Sequence, residues 1–275
     1  MDTLVSYLLK MIITSAILVI YYWIALRNKR FHQYNRWYLL SAIAISLVAP
    51  LLHFRIYLPD QPAFTAFNDL LSPWSVTSAG STAATMERAA HFAGGGPGWS
   101  SLLFAASALV STILLLALVS KIAGLQRIKS RHPVTHMNGF CLIETELEQA
   151  PFSFFNNLYW RKNISMEDET GRTIFLHELT HIREGHSYDK LLSQLAACIF
   201  WMNPFFWLIQ KELSLVHEFA ADERSVKEED CASFARMLLH AYSGGRYLDP
   251  SHAFFYSPIK RRLVMITTPK KTPFS

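Results

Sequence analysis

The chain has 275 residues, of which 51% are apolar and only 17% charged, with a mean hydropathy of +0.17; in soluble domains charged residues make up about a quarter. This shortage of charge excludes a disordered chain and argues against an ordinary soluble enzyme, so the class expected is an integral membrane protein with one compact polar domain. A net charge of +5 would suit nucleic acid, but the basic residues cluster beside apolar runs, where orientation in a bilayer accounts for them. No direct nucleic-acid binding is expected.

Residues 4 to 26 are apolar apart from Lys10 and long enough to cross about 30 Å of hydrocarbon. They lack a basic leader and end in Arg27-Asn28-Lys29-Arg30, so they read as a retained first span and not as a cleaved signal. Residues 37 to 54 form a second span that opens on the interfacial Trp37 and Tyr38, and residues 99 to 120, free of charge, form a third. Residues 1–54 thus hold two spans and a basic loop, 55–98 an extracytoplasmic loop rich in small residues, and 99–120 the third span. Basic residues crowd positions 27 to 36 and 121 to 131, which places both segments in the cytoplasm and the N-terminus outside.

The remainder divides into a polar domain at 121–245 and a C-terminal segment at 246–275. Short β-prone runs between 140 and 160, broken at Ala150-Pro151, predict a small sheet. Cys141, Cys198 and Cys231 are odd in number and widely spaced, so they predict neither a disulfide framework nor a thiolate metal site.

The segment His177-Glu178-Leu179-Thr180-His181 carries the chemistry. On a helix, residues four apart lie one above the other, so His177 and His181 can offer imidazole nitrogens to one Zn²⁺. Glu178 can then take a proton from a water activated by the ion. A third ligand is needed, and the spacing with a further histidine at position 187 fails because Ser187 stands there. Downstream, Glu218 and Asp222 are four apart on a predicted helix; Glu218 is read as the third ligand and Asp222 as the acid that orients a ligand histidine. His217 remains an alternative ligand, and His186 reads as polar support near the site. His240, His252 and Tyr256 are candidates for stabilising an oxyanion, none of them assigned.

One geometrical constraint follows. Residues 191 to 209 have the length of a span, and a simple crossing would carry Glu218 some 30 Å from the histidines. Asn203-Pro204 offers a break, so residues 187–218 are expected to form a re-entrant or buried helical hairpin, with the histidine helix bending near Gly185. A plain fourth span with no zinc site is the rival.

With these residues in view, the chain resembles the membrane metallopeptidases of the BlaR/MecR antirepressor type. The resemblance rests on Asn35-Arg36 with Tyr38-Leu39-Leu40, Ala150-Pro151 with Phe152 to Phe155, the histidine motif followed by Gly185-His186 and Asp189, Phe200 to Pro204 with Trp207, Glu218 through Asp222, and Lys260-Arg261-Arg262. It implies a mainly α membrane protein of the bacterial inner membrane: three transmembrane helices plus a cytoplasmic, gluzincin-like zinc domain. It further implies that Phe152, Ser153, Phe154 and Phe155 form an edge strand on which a substrate peptide lies as an added strand.

The function so implied is zinc endoproteolysis in signal transduction, with a BlaI-like winged-helix repressor as the cytoplasmic substrate. The partners expected are the bilayer, that protein substrate and, as an option left open, a second copy of the chain. Ser257-Pro258-Ile259-Lys260 matches an acylation motif but no penicillin-binding domain surrounds it, so a covalent beta-lactam sensor is not expected. The alternative of a different class is a non-catalytic membrane transducer or scaffold with a structural zinc site. Glu178 separates the two, because a structural site fills its fourth position and needs no base.

Overall fold

Runs of apolar residues at helical spacing dominate the molecule. The computed structural model describes residues 2–52, 99–226 and 258–267. Helix α1 (Asp2–Tyr21) continues through a π-helical turn (Tyr22–Leu26), and α2 (His32–Val48) runs into a 3₁₀ turn (Ala49–Leu51). Helix α3 covers Trp99–Arg131 without interruption, eleven residues beyond the expected end of the third span at 120. Nothing in Lys121 to Arg131 breaks a helix, and Gly124 is tolerated inside it.

Among the described residues two helical stretches are long and apolar enough to cross a membrane, Val5–Leu26 and Ser101–Arg131. The second expected span corresponds to α2, which starts at His32, five residues before the apolar run at 37. Its 17 residues rise about 26 Å, a little short of the hydrocarbon thickness. The loop at 55–98 lies outside the described residues.

The chain divides into two compact units, one of residues 1–51 with 111–275 and one of residues 52–110. In the second unit the described residues are Leu52 and the beginning of α3.

In the first unit, a four-stranded sheet follows α3: β1 (Val134–Met137), β2 (Phe140–Thr145), β3 (Phe152–Phe154) and β4 (Asn157–Arg161), in the order β1-β2-β4-β3. Gly139, at φ 91°, allows the tight reversal between β1 and β2, which pair antiparallel. Strands β2 and β4 pair parallel, and β3 returns antiparallel on β4 as an edge strand. Leu142, Leu158 and Trp160 of the sheet bury against Ile182 of the next helix.

That helix, α4 (Glu169–Arg183), carries both motif histidines. It stops at Gly185, whose φ of 68° no β-branched or bulky residue adopts without strain, and the chain turns into α5 (His186–Ile199). The chain then reverses over Phe200 to Asn203 and returns as α6 (Pro204–Val226). Proline at the first helical position loses no hydrogen bond, and Asn203 caps the helix by accepting from the Phe205 N–H at 3.0 Å. Asn203 is fully buried, and its amide donates to Ser15 Oγ on α1 at 3.0 Å, so the tip of the hairpin is tied to the first helix.

Ala197, Phe206, Ile209, Leu213 and Val216 of the hairpin pack with Met11, Val19, Leu39 and Ile43 of α1 and α2 in one apolar core. Helix α7 (Pro258–Thr267) lies on α6, so residues 258–267 of the C-terminal segment share a unit with the histidine helix.

Candidate metal centre

The i, i+4 spacing on α4 brings His177 Nε2 and His181 Nε2 to 3.3 Å from each other. Although 41 positions separate it from His177, Glu218 on α6 sits across from both: its Oε2 is 3.6 Å from His177 Nε2 and its Oε1 is 3.7 Å from His181 Nε2. A tetrahedral ion bound at about 2.0–2.1 Å needs ligand atoms about 3.3–3.4 Å apart. The three separations therefore fit one zinc-sized ion with small closing movements. Among the described residues this trio is the group of histidine and carboxylate side chains that could hold a metal.

The back of the site is held as tightly as its front. Asp222, buried on the next turn of α6, places Oδ1 at 3.2 Å from His177 Nδ1. Arg262 of α7 donates from Nε and Nη2 to the two Asp222 oxygens at 2.7 and 2.6 Å and reaches Glu218 Oε2 at 3.0 Å. Such a two-pronged guanidinium contact fixes the plane of the carboxylate. On the other histidine of the pair, His181 Nδ1 lies 2.8 Å from His186 Nδ1, so His186 stands directly behind His181.

Glu178 and the ligand trio line one cleft of about 420 Å³, together with Phe152, Ser153 and Phe154 of β3 and Leu118 and Ile122 of α3. Ser153 Oγ donates to Glu178 Oε2 at 2.8 Å. The strand ends at Phe154; Phe155, at φ 50°, turns the chain and donates its N–H to Ser187 Oγ at 2.9 Å. Of the four residues expected on the edge strand, three are on it and the fourth terminates it.

Charges in the site follow from burial and neighbours. Burial opposes a charged His177 ring, but Asp222 and Glu218 outweigh it and raise its pKa to about 10 without metal. Burial pushes the Glu178 carboxyl above the usual carboxylate range, against the pull of His177 and of the Ser153 hydroxyl. His181 is driven well below the ordinary imidazole value, first by burial and then by the charge on His177. Glu218 is held far below the ordinary value because His177, Arg262 and His181 overcome its burial. A lone pair on His181 and an ionised Glu218 are what a cation requires, and the His177 proton is what it must displace.

Residues 161–266 match the family described as BlaR1 peptidase M56. The match supports the BlaR/MecR-type membrane metallopeptidase family and, with it, a metal-dependent peptidase at a membrane. No curated protein matches the chain. All three candidate ligands, Glu178, Asp222 and Arg262 lie inside the M56 segment, whereas Ser153 and the rest of β3 precede it.

Other sequence candidates fall elsewhere. His217, the alternative ligand, is fully buried away from the trio; its Nε2 is 3.0 Å from Asp189 Oδ2 and its ring stacks on His186 at 4.1 Å. His240, His252, Tyr256 and Cys231 lie outside the described residues. Arg262, Arg36, Glu184 and Asp189 were given no chemical role by the sequence. The available signal was charge in apolar surroundings: Asp189 sits inside the first turn of an amphipathic helix, and Arg36 precedes Trp37 and Tyr38.

Proposed function

We propose that this protein is a membrane-embedded zinc endopeptidase of the signal-transducing antirepressor type, with a gluzincin-like site at the cytoplasmic face and a BlaI-like repressor as its substrate. The observation that carries this reading is the trio His177, His181 and Glu218, spaced for a single tetrahedral ion in the same cleft as Glu178.

When bound there, zinc supplies Lewis acidity toward a water and a scissile carbonyl. Glu178 accepts the water proton on its carboxylate and passes it to the leaving amine. Its raised pKa brings proton uptake closer to neutral, and Ser153 Oγ holds the carboxylate in place through Oε2. Asp222 orients His177 through Nδ1, and Arg262, bonded to both Asp222 and Glu218, offsets the repulsion between the two carboxylates. The outer edge of β3 receives the substrate backbone as an added strand, which leaves Phe152 and Phe154 to contact its side chains.

In this reading α1, α2 and α3 are three spans, with the N-terminus outside and the polar domain in the cytoplasm, as the basic residues at 27 to 36 and 121 to 131 require. The hairpin re-enters without crossing. Support comes from Asn203 at its tip, which bonds Ser15, ten residues from Val5 and eleven from Leu26 in the first candidate span. A hairpin ending halfway down that span returns Glu218 to the side it left.

The deciding experiment is Glu178→Gln in the full chain. Zinc content is expected to stay at wild-type level while cleavage of a BlaI-like repressor falls by about 10²- to 10⁴-fold, the usual worth of a positioned base. Undiminished cleavage would remove Glu178 as the base, and a wild-type protein that holds zinc but cleaves no peptide would favour the structural-zinc transducer.

A further inference from the structure

Behind His181 the structure holds a chain of buried polar groups that leads away from the cleft to α2. In the ligand set proposed above His181 would offer Nε2 to the ion, which leaves the hydrogen on Nδ1, directed at His186 Nδ1 2.8 Å away. His186 would then carry its own hydrogen on Nε2, which faces the Glu184 carboxylate with Oε2 at 3.6 Å. The flat face of His186 is covered by His217, stacked at 4.1 Å and 17°, and His217 Nε2 donates to Asp189 Oδ2 at 3.0 Å.

Both arms end on one residue. Arg36 donates from Nε to Asp189 Oδ2 at 2.6 Å, from Nη1 to Glu184 Oε2 at 3.3 Å and from Nη2 to the Glu184 carbonyl at 2.8 Å. Gln33, one turn earlier on α2, also donates to Glu184 Oε2. His186 and His217 are each no more than 1% exposed, so bulk solvent does not compete for these contacts. The His217 ring is oriented by its hydrogen bond to Asp189, and the His186 ring is held between His181, the His217 face and the Glu184 carboxylate at 3.6 Å.

We propose that Arg36 on α2 is a positioning residue of the metal centre, acting through Glu184, Asp189 and His217 on His186 and through His186 on the ring of His181. This rests on the ligand set proposed above. It makes the polar end of a membrane helix part of the support of the zinc site, so a displacement of α2 along or about its axis reaches a metal ligand through the Asp189 hydrogen bonds and the His217–His186 stack, and through the Glu184 contact with His186. Lysine cannot substitute, because one ammonium cannot serve three acceptors held in a fork.

The test is a double-mutant cycle on the full chain in detergent, with Arg36→Gln, His186→Phe and both together. Zinc affinity is read by competition with a chromogenic chelator, and ligand geometry by the absorption bands of the cobalt-substituted protein. Outer partners of ligand histidines are worth about 10- to 100-fold in affinity, so each single variant is expected to bind zinc at least about tenfold more weakly and to shift the cobalt bands. The double variant is expected to be no weaker than His186→Phe alone, since Arg36 acts through His186. Losses that multiply in the double variant, or folded single variants with wild-type affinity and cobalt bands, would overturn the proposal. Should Arg36→Gln not yield folded protein, the same cycle with Arg36→Lys decides on the same outcomes. A wild-type chain that takes up no zinc would instead defeat the ligand set itself.

Discussion

Two glutamates of helix α6, Glu212 and Glu218, meet different fates. Glu212 is 6% exposed and is clasped by Arg261, at 2.9 and 3.2 Å, and by Arg27 at 3.2 Å. Glu218, six positions on, faces the imidazoles of His177 and His181 with Arg262 at one oxygen. Six residues advance about 9 Å along a helix and rotate to another face, so one helix presents the same side chain to two unlike sets of partners. Arginine stays charged and offers only hydrogens, which saturates Glu212 and ties α1 and α7 to α6. Imidazole can give up its proton and offer a lone pair, so the second cluster can exchange protons for a cation. What distinguishes a structural cluster from a candidate metal centre here is the chemistry of the partners.

Zinc affinity is the measurement that breaks or sharpens this contrast. Glu218→Ala removes a ligand and is expected to weaken zinc by more than the roughly 100-fold that a lost outer partner can cost; chelator competition on purified protein reads it, and a binding curve that overlays wild type would dissolve the distinction between the clusters. Asp222→Asn keeps the shape but releases the hold on His177 Nδ1, with an expected loss of about 10- to 100-fold.

Next in size is pH. His177 in the metal-free protein has its pKa raised to about 10, so it holds a proton at neutral pH that zinc must expel. Affinity is then expected to rise by about tenfold for each pH unit up to that pKa, because the competing proton thins out as pH rises. Titration calorimetry at pH 8 in buffers of different ionisation enthalpy should find close to one proton released per zinc, and heats independent of buffer would contradict it.

Glu212→Ala should leave zinc affinity unchanged within error while costing roughly 3 kcal/mol of stability, the usual result of stranding buried partners. A thermal melt with zinc titration alongside checks both halves, and a loss of zinc binding in the folded variant would merge the two clusters into one.

The site was legible wherever its residues were neighbours on one helix. His177, Glu178 and His181 share α4, and Glu218 and Asp222 share α6, so a period of 3.6 residues was enough to pair each set. The reversal at Asn203-Pro204 was legible too, since proline cannot continue a helix at no cost and asparagine caps the next one. The length of α3 was less so: apolar composition marks where a helix can lie in lipid, whereas the helix itself continues until something stops it, here at Arg131. The support of the site was hidden for a different reason. Ser153 reaches Glu178 across 25 positions, Arg262 reaches Asp222 across 40, and Arg36 reaches Glu184 across 148. No local period links positions so far apart.

Sequence alone determined which segments are apolar, where the chain must turn and which side chains are able to ligate, because those properties are set by covalent geometry within a few residues. The packing of the α5–α6 hairpin on α1 and α2 decided the rest: it placed Glu218 against the histidine pair and set Arg36 behind it. Long-range contacts depend on how several faces bury at once, and only the assembled fold states which polar groups were enclosed together and had to satisfy one another.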